Sequence, residues 1–166
     1  MKTIRRVFVF VCLLGLASSA PMGLAAPNDA AFERIMSLEG HWEGKRSDGK
    51  HVKVSYQIHS NGSAVLETIS PPDEPTMLTV YHMDGQDLMM THYCAAQNQP
   101  RMKAKSASEK VVSFEFVDAT NLAHSTDGHM HQLELTFIDN NHFLQKWTWM
   151  EKGETKDTTF DLARVN

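Results

Sequence analysis

Disulfides, basic charge and long hydrophobic runs are all scarce in this chain. Two cysteines, Cys12 and Cys94, in 166 residues exclude a disulfide-framework protein. Lysine and arginine number 16 against 20 acidic residues, giving a net charge of −4 at pH 7. A nucleic-acid binder needs a basic face, and this balance supplies none. The apolar run from Val7 to Leu16 is half the roughly 20 residues that a membrane-crossing helix needs. A phosphate loop, G-x-S-x-G and H-E-x-x-H are all missing, so the usual nucleotide, hydrolase and zinc-protease signatures do not apply. With 42% hydrophobic residues, 9 Gly and 6 Pro, the composition is neither disordered nor collagenous. One globular domain accounts for the length.

What is present begins with an address. Lys2, Arg5 and Arg6 precede the apolar run, and Gly23-Leu24-Ala25 fits the small-x-small cleavage rule. Residues 1–25 are therefore expected to be a signal peptide and 26–166 the mature domain, soluble in the periplasm or outside the cell, with no membrane span left after cleavage. Cleavage removes three basic residues and no acidic ones, so the net charge moves from −4 to −7. It also removes Cys12. Cys94 then stands alone, and the exported domain must be held by its apolar core.

The mature chain alternates with period two almost throughout. A short helix capped by Asn28 or Asp29 is expected first, with Phe32, Ile35 and Met36 on one face and Gly40 at its end. His51 to His59 then reads as a strand with Val52, Val54, Tyr56 and Ile58 on one side. Ser60-Asn61-Gly62 turns it into Ser63 to Ser70. Thr76 to Met83 and Asp87 to Cys94 form a hairpin over Asp84-Gly85. Ala95 to Arg101 reads as a polar loop. Met102 to Ser106, Val111 to Asp118, His129 to Ile138, His142 to Glu151 and Lys156 to Ala163 follow as strands. About ten strands at regular spacing, joined by hairpins without long crossovers, predict an all-β, antiparallel up-and-down barrel with a short N-terminal helix. Such a barrel is wide enough to hold one small ligand.

Gly40-His41-Trp42-Glu43-Gly44 gives a G-x-W-x-G pattern at the entry to the first strand. It resembles the N-terminal signature of the calycins: lipocalins, fatty-acid-binding proteins and nitrobindin-like haem barrels. The resemblance implies that Trp42 closes one barrel end and that a basic residue of the last strand, here Arg164, packs across it. Tyr81-His82-Met83-Asp84-Gly85, Thr91-His92-Tyr93-Cys94 and Asn98-Gln99-Pro100-Arg101-Met102 look like a family of exported bacterial calycin-like barrels of unknown function. Gly62 to Glu67, His129 to His131 and Trp147 are similar to that family too. Together these span about Phe32 to Arg164. Nitrobindin-like barrels hold haem through a histidine on a late strand. This chain has none after His142, so no haem ligand carries over.

The candidate chemistry is sparse. Met77, Thr79, Tyr81, Leu88, Met90, His92 and Cys94 share a face, a Met-rich surface carrying a phenol, an imidazole and a thiol. Asn98, Gln99 and Arg101 follow in a loop that can orient a carbonyl or carboxylate. Tyr81, His92, Asn98, Gln99, Arg101 and Trp147 are thus the expected ligand-binding residues, set against the alternative of an ordinary barrel core. His124, Asp127, His129 and His131 form the one metal-like cluster, suited to Zn²⁺ or Cu²⁺ but short of a full site, so no cofactor is expected. Glu67, beside Val65 and Ile69, needs a basic partner or a raised pKa if it faces inward. It would be the general base of an enzyme, with His92 or His82 as acid. The favoured function is binding of a small, largely apolar ligand inside the barrel. A small-molecule isomerase or hydrolase, or an envelope protein with no ligand, are the alternatives. Ligand identity and oligomeric state are not legible.

Overall fold

The computed structural model describes residues 27–165. The expected signal peptide lies outside the described residues. Helix α1 runs Pro27–Met36, and ten strands follow: β1 Gly40–Arg46, β2 His51–His59, β3 Ala64–Ser70, β4 Met77–Asp84, β5 Asp87–Tyr93, β6 Gln99–Ala107, β7 Val111–Thr120, β8 His129–Phe137, β9 His142–Glu151 and β10 Glu154–Val165. Every strand pairs antiparallel with its sequence neighbour, and β1 pairs with β10 to close the barrel. Each strand therefore has two partners, and no edge is left to template aggregation.

The two barrel ends differ. Helix α1 lies over the end formed by the β2–β3, β4–β5, β6–β7 and β8–β9 turns. Ala31, Phe32 and Ile35 are buried against the lumen, and Asn28 and Arg34 reach the turns at Gln86 and Asn140. Arg34 also sits 4.5 Å over the Phe137 ring. Asn28 is inside the helix rather than capping it, because the helix starts one residue earlier at Pro27, a residue suited to the first turn. The opposite end is open.

The G-x-W-x-G pattern has a physical basis at the seam. Gly40 adopts φ +123°, a conformation side chains disfavour. A Cβ on Gly44 would sit 1.7 Å from the Asp161 carbonyl oxygen of β10, so only glycine lets these two strands pair. Trp42 is buried and donates Nε1–H to the Leu38 carbonyl at 2.7 Å. The Arg164 guanidinium lies 4.3 Å over the Trp42 ring and donates to the carbonyls of Glu39 at 2.6 Å and Ser37 at 2.8 Å. One side chain thus ties the last strand to the helix–β1 connection. Gly44→Ala is expected to cost about 1–3 kcal/mol through forced strand separation. Thermal denaturation checks it, and an unchanged Tm would show that the seam tolerates the methyl.

Three details depart from the sequence reading. Asp84 pairs with Asp87, so the turn is Gly85-Gln86, not Asp84-Gly85. Inward parity survives, but each cross-strand partner moves by two residues, which sets Thr79 opposite His92. Gln99, Pro100 and Arg101 belong to β6 rather than to a loop. Pro100 is buried beside a register shift between Arg101 and Met102, a place where a missing N–H is tolerated. Finally, β8 carries an irregularity at His131, the extra residue between Met130 and Gln132.

Candidate functional site

The middle of the lumen is packed. Val65, Leu88, Met90, Met102, Leu133, Leu135 and Phe143 are fully buried there and fill the barrel across its middle. Within this apolar layer sits one carboxyl, Glu67, fully buried on β3. Its Oε1 accepts from the Tyr56 hydroxyl at 2.7 Å and from Gln145 Nε2 at 2.5 Å, and its Oε2 accepts from Tyr81 at 2.9 Å. Thr79 stands directly across the strand pair and helps hold the carboxyl pKa down. Among the described residues no lysine or arginine joins this cluster. The basic partner anticipated for Glu67 is replaced by two phenols, an amide and a hydroxyl. Burial pushes the Glu67 carboxyl above its ordinary range, and the four donors restrain the rise. Burial and the nearby Glu67 carboxylate push both phenols well up, so they remain protonated donors.

One step toward the open end, His92 Nδ1 lies 3.0 Å from Thr79 Oγ1. The His92 ring packs on Trp147 at 4.6 Å between centroids, and its Nε2 has no partner. Trp147 Nε1 has none either. Burial lowers the His92 pKa from 6.5 to about 4, so the ring is neutral at pH 7.

His92 and Trp147 form part of the wall of a cavity of about 220 Å³ in the barrel mouth. Ile69, Pro71, Met77, Met130 and Phe160 supply its apolar lining. The rim is charged. Arg46, 11% exposed, bridges Asp48, Asp73 and Glu74, which joins the β1–β2 and β3–β4 loops. Those carboxylates hold the guanidinium protonated, and Arg46 in turn holds Asp48 well below the usual carboxylate range. Lys156 and Asp157 complete the rim from β10. An apolar cavity of roughly 150 Å³ admits benzene, so this one suits a single-ring molecule with a substituent.

The six expected ligand-binding residues therefore separate. His92 and Trp147 line the cavity. Tyr81 lies deeper, against Phe114 and Glu67. Asn98 is buried but donates to the Gly128 carbonyl at 2.8 Å, tying the β5–β6 and β7–β8 connections together. Gln99 bonds Thr120 and the Gln97 carbonyl. Arg101 is exposed and forks onto Asp118 through Nε at 2.6 Å and through Nη2. These three miss the cavity because the strand begins at Gln99, which turns Gln99 and Arg101 outward and Pro100 and Met102 inward. His82 also faces outward on β4, paired with Ala64 and Met89.

At the β8 irregularity His129 Nε2 meets His131 Nδ1 at 3.3 Å, and both rings pack on Phe116. His129 Nδ1 bonds the Asp127 carbonyl at 2.8 Å. His124 is exposed, and its backbone N–H bonds the Asp127 carboxylate. Among the described residues no three His, Cys, Asp or Glu side chains converge as a metal site. Cys94 lies just past β5, half-buried, and burial raises its thiol pKa, the wrong direction for a nucleophile.

Sequence reasoning missed Arg46, Glu74, Met130 and Asp157, which come from loops and strand ends with no motif. Tyr56 and Gln145 were findable by alternation, with Val54 and with Phe143 and Trp147.

Comparison with known protein families gives no match, and neither does comparison with curated proteins. Among solved structures, one described as "EF1p2_mFAP2b bound to DFHBI" is similar at 10% identity and a TM-score of 0.34, covering 85% of this chain and 100% of that one.

Proposed function

We propose that this chain is an exported binding protein that holds a small, largely apolar ligand in the mouth of its barrel. The supporting observation is the 220 Å³ cavity itself, where five apolar side chains surround two unpartnered ring nitrogens. Buried polar atoms are rarely left unpaired without a reason, and a ligand is one. Apolar burial at roughly 25 cal/mol per Å² would supply most of the affinity, and the two nitrogens the orientation. The basic start, apolar run and small-residue site of the first 25 residues support export.

Native mass spectrometry of protein purified from its own host tests both parts. The expected result is a chain shortened by about 25 residues, carrying a small mass that is released on unfolding. A full-length chain would remove export from the proposal. A bare chain that also binds no small aromatic probe would remove binding. Ile69→Trp, which fills the cavity, is expected to abolish retention while the barrel still folds, as far-ultraviolet circular dichroism would show.

A further inference from the structure

Thr79 lies between Glu67 and His92, and the direction of its hydroxyl decides which end of His92 carries hydrogen. The carboxyl accepts from Tyr56, Tyr81 and Gln145, and Thr79 faces it across the strand pair. Thr79 has one hydroxyl proton, and turned toward the Glu67 carboxyl opposite, it is not available to His92. Its oxygen can then only accept from His92, so the hydrogen in the 3.0 Å contact sits on Nδ1. A neutral imidazole with Nδ1–H has a bare lone pair at Nε2. That atom is buried and unpartnered, in a ring that lines the cavity. The adjacent Trp147 Nε1–H is the complement: a buried donor lacking an acceptor. A single ligand hydroxyl can serve both, donating to one nitrogen and accepting from the other.

Charge narrows the class further. His92 is neutral, with its pKa lowered to about 4. Arg46 is occupied by Asp48, Asp73 and Glu74. The lining holds two cationic residues, Arg46 and Lys156, against three anionic ones, Asp48, Glu74 and Asp157. The balance of the lining is negative, which disfavours an anion.

We propose that His92 carries its hydrogen on Nδ1 and that the cavity selects a neutral single-ring molecule bearing a hydroxyl, of the phenol class, whose proton points at His92 Nε2 and whose oxygen accepts from Trp147 Nε1. The proposal rests on the binding reading above and adds the ligand's chemistry. Losing the donor leaves a buried acceptor unpaired, so a methyl ether of the same shape is penalised. Losing the charge balance by adding a carboxylate is penalised by the rim.

The experiment is calorimetric titration of the full chain with 4-methylphenol, 4-methylanisole and 4-methylbenzoate. 4-Methylphenol is expected to bind at least tenfold more tightly than the ether, with the benzoate weakest. His92→Phe should reduce the phenol-to-ether ratio to near one. Thr79→Val, which leaves the ring intact but frees Nδ1 to give up its hydrogen, should reduce it as well. Equal binding of phenol and ether by the unaltered protein would overturn donor selection while leaving the binding reading standing. Tightest binding of the benzoate would overturn the neutrality argument. Failure of all three probes, in a chain that also retains no small molecule from its host, would overturn both. The wild-type ranking needs no variant to fold.

Discussion

Glu67→Leu is expected to be among the most destabilising single changes in this barrel, at about 3–5 kcal/mol, or roughly a 10 °C fall in Tm. The volume is nearly kept, so a cavity is not the cause. The cause is that the Tyr56 and Tyr81 hydroxyls and the Gln145 amide lose their acceptor in a layer closed to water. Each orphaned donor costs about 1–3 kcal/mol, partly offset because no carboxylate remains to be desolvated. Glu67→Gln keeps an acceptor oxygen and should cost less than half as much. The mechanism predicts a particular non-additivity. Tyr81→Phe alone should cost about 1–2 kcal/mol, but in the Glu67→Leu background it should be close to neutral, since it removes an orphan instead of creating one. Chemical denaturation of the four proteins measures this. Additive losses would mean that the donors find other partners and that the cluster is not a unit.

The same cluster shows where sequence reading stops. Alternation places Val65, Glu67 and Ile69 on one face, and all three are buried. The burial of Glu67 is therefore legible. Tyr56, directly opposite on β2, and Tyr81, on β4, come from neighbouring hairpin strands, but Gln145 lies 78 residues away on β9, and barrel closure rather than spacing brings it in. Strand order, hairpins and inward faces were open to reading because each is a nearest-neighbour property of an up-and-down barrel. Cross-strand register is finer. Moving the turn from Asp84-Gly85 to Gly85-Gln86 changes no face but decides that Thr79 meets His92.

Two failures have a local origin. Pro100 reads as a loop residue because proline weakens a ladder. Here a register shift absorbs it, the strand starts earlier, and Arg101 is carried outside onto Asp118. At His131 an inserted residue has the same effect on parity, which no periodicity argument detects. The cavity rim is a third case. Arg46, Asp73 and Glu74 are ordinary loop charges in the sequence, and only the proximity of two loops turns them into one ion-paired clamp.

The pH dependence of stability should carry the signature of His92. Its pKa is about 4 in the folded barrel, against an ordinary value of 6.5, and burial is the cause. Above pH 6.5 neither state is protonated and the group is silent. Between pH 6.5 and 4 the unfolded chain binds a proton that the folded chain refuses, so stability falls as the solution is acidified. At pH 5 the loss is about 2 kcal/mol. His131, also lowered by burial and by His129, acts in the same direction. Glu67 acts oppositely. Its raised pKa means that the folded state takes up a proton first, so its term favours the fold on acidification and fades as pH rises through the folded value. Asp48, Asp73 and Asp118, all lowered by their basic partners, lose their contribution only below this window. Two variants should therefore tilt the profile in opposite senses. His92→Phe removes the acid-side loss and gains on wild type by about 2 kcal/mol between pH 7 and pH 5, whereas Glu67→Gln removes the opposing term and steepens the loss. Urea denaturation at half-unit pH steps measures both slopes. Profiles parallel to wild type in both variants would mean that neither group is shielded from water, and the bare Nε2 in the barrel mouth would then be hydrated rather than waiting for a ligand.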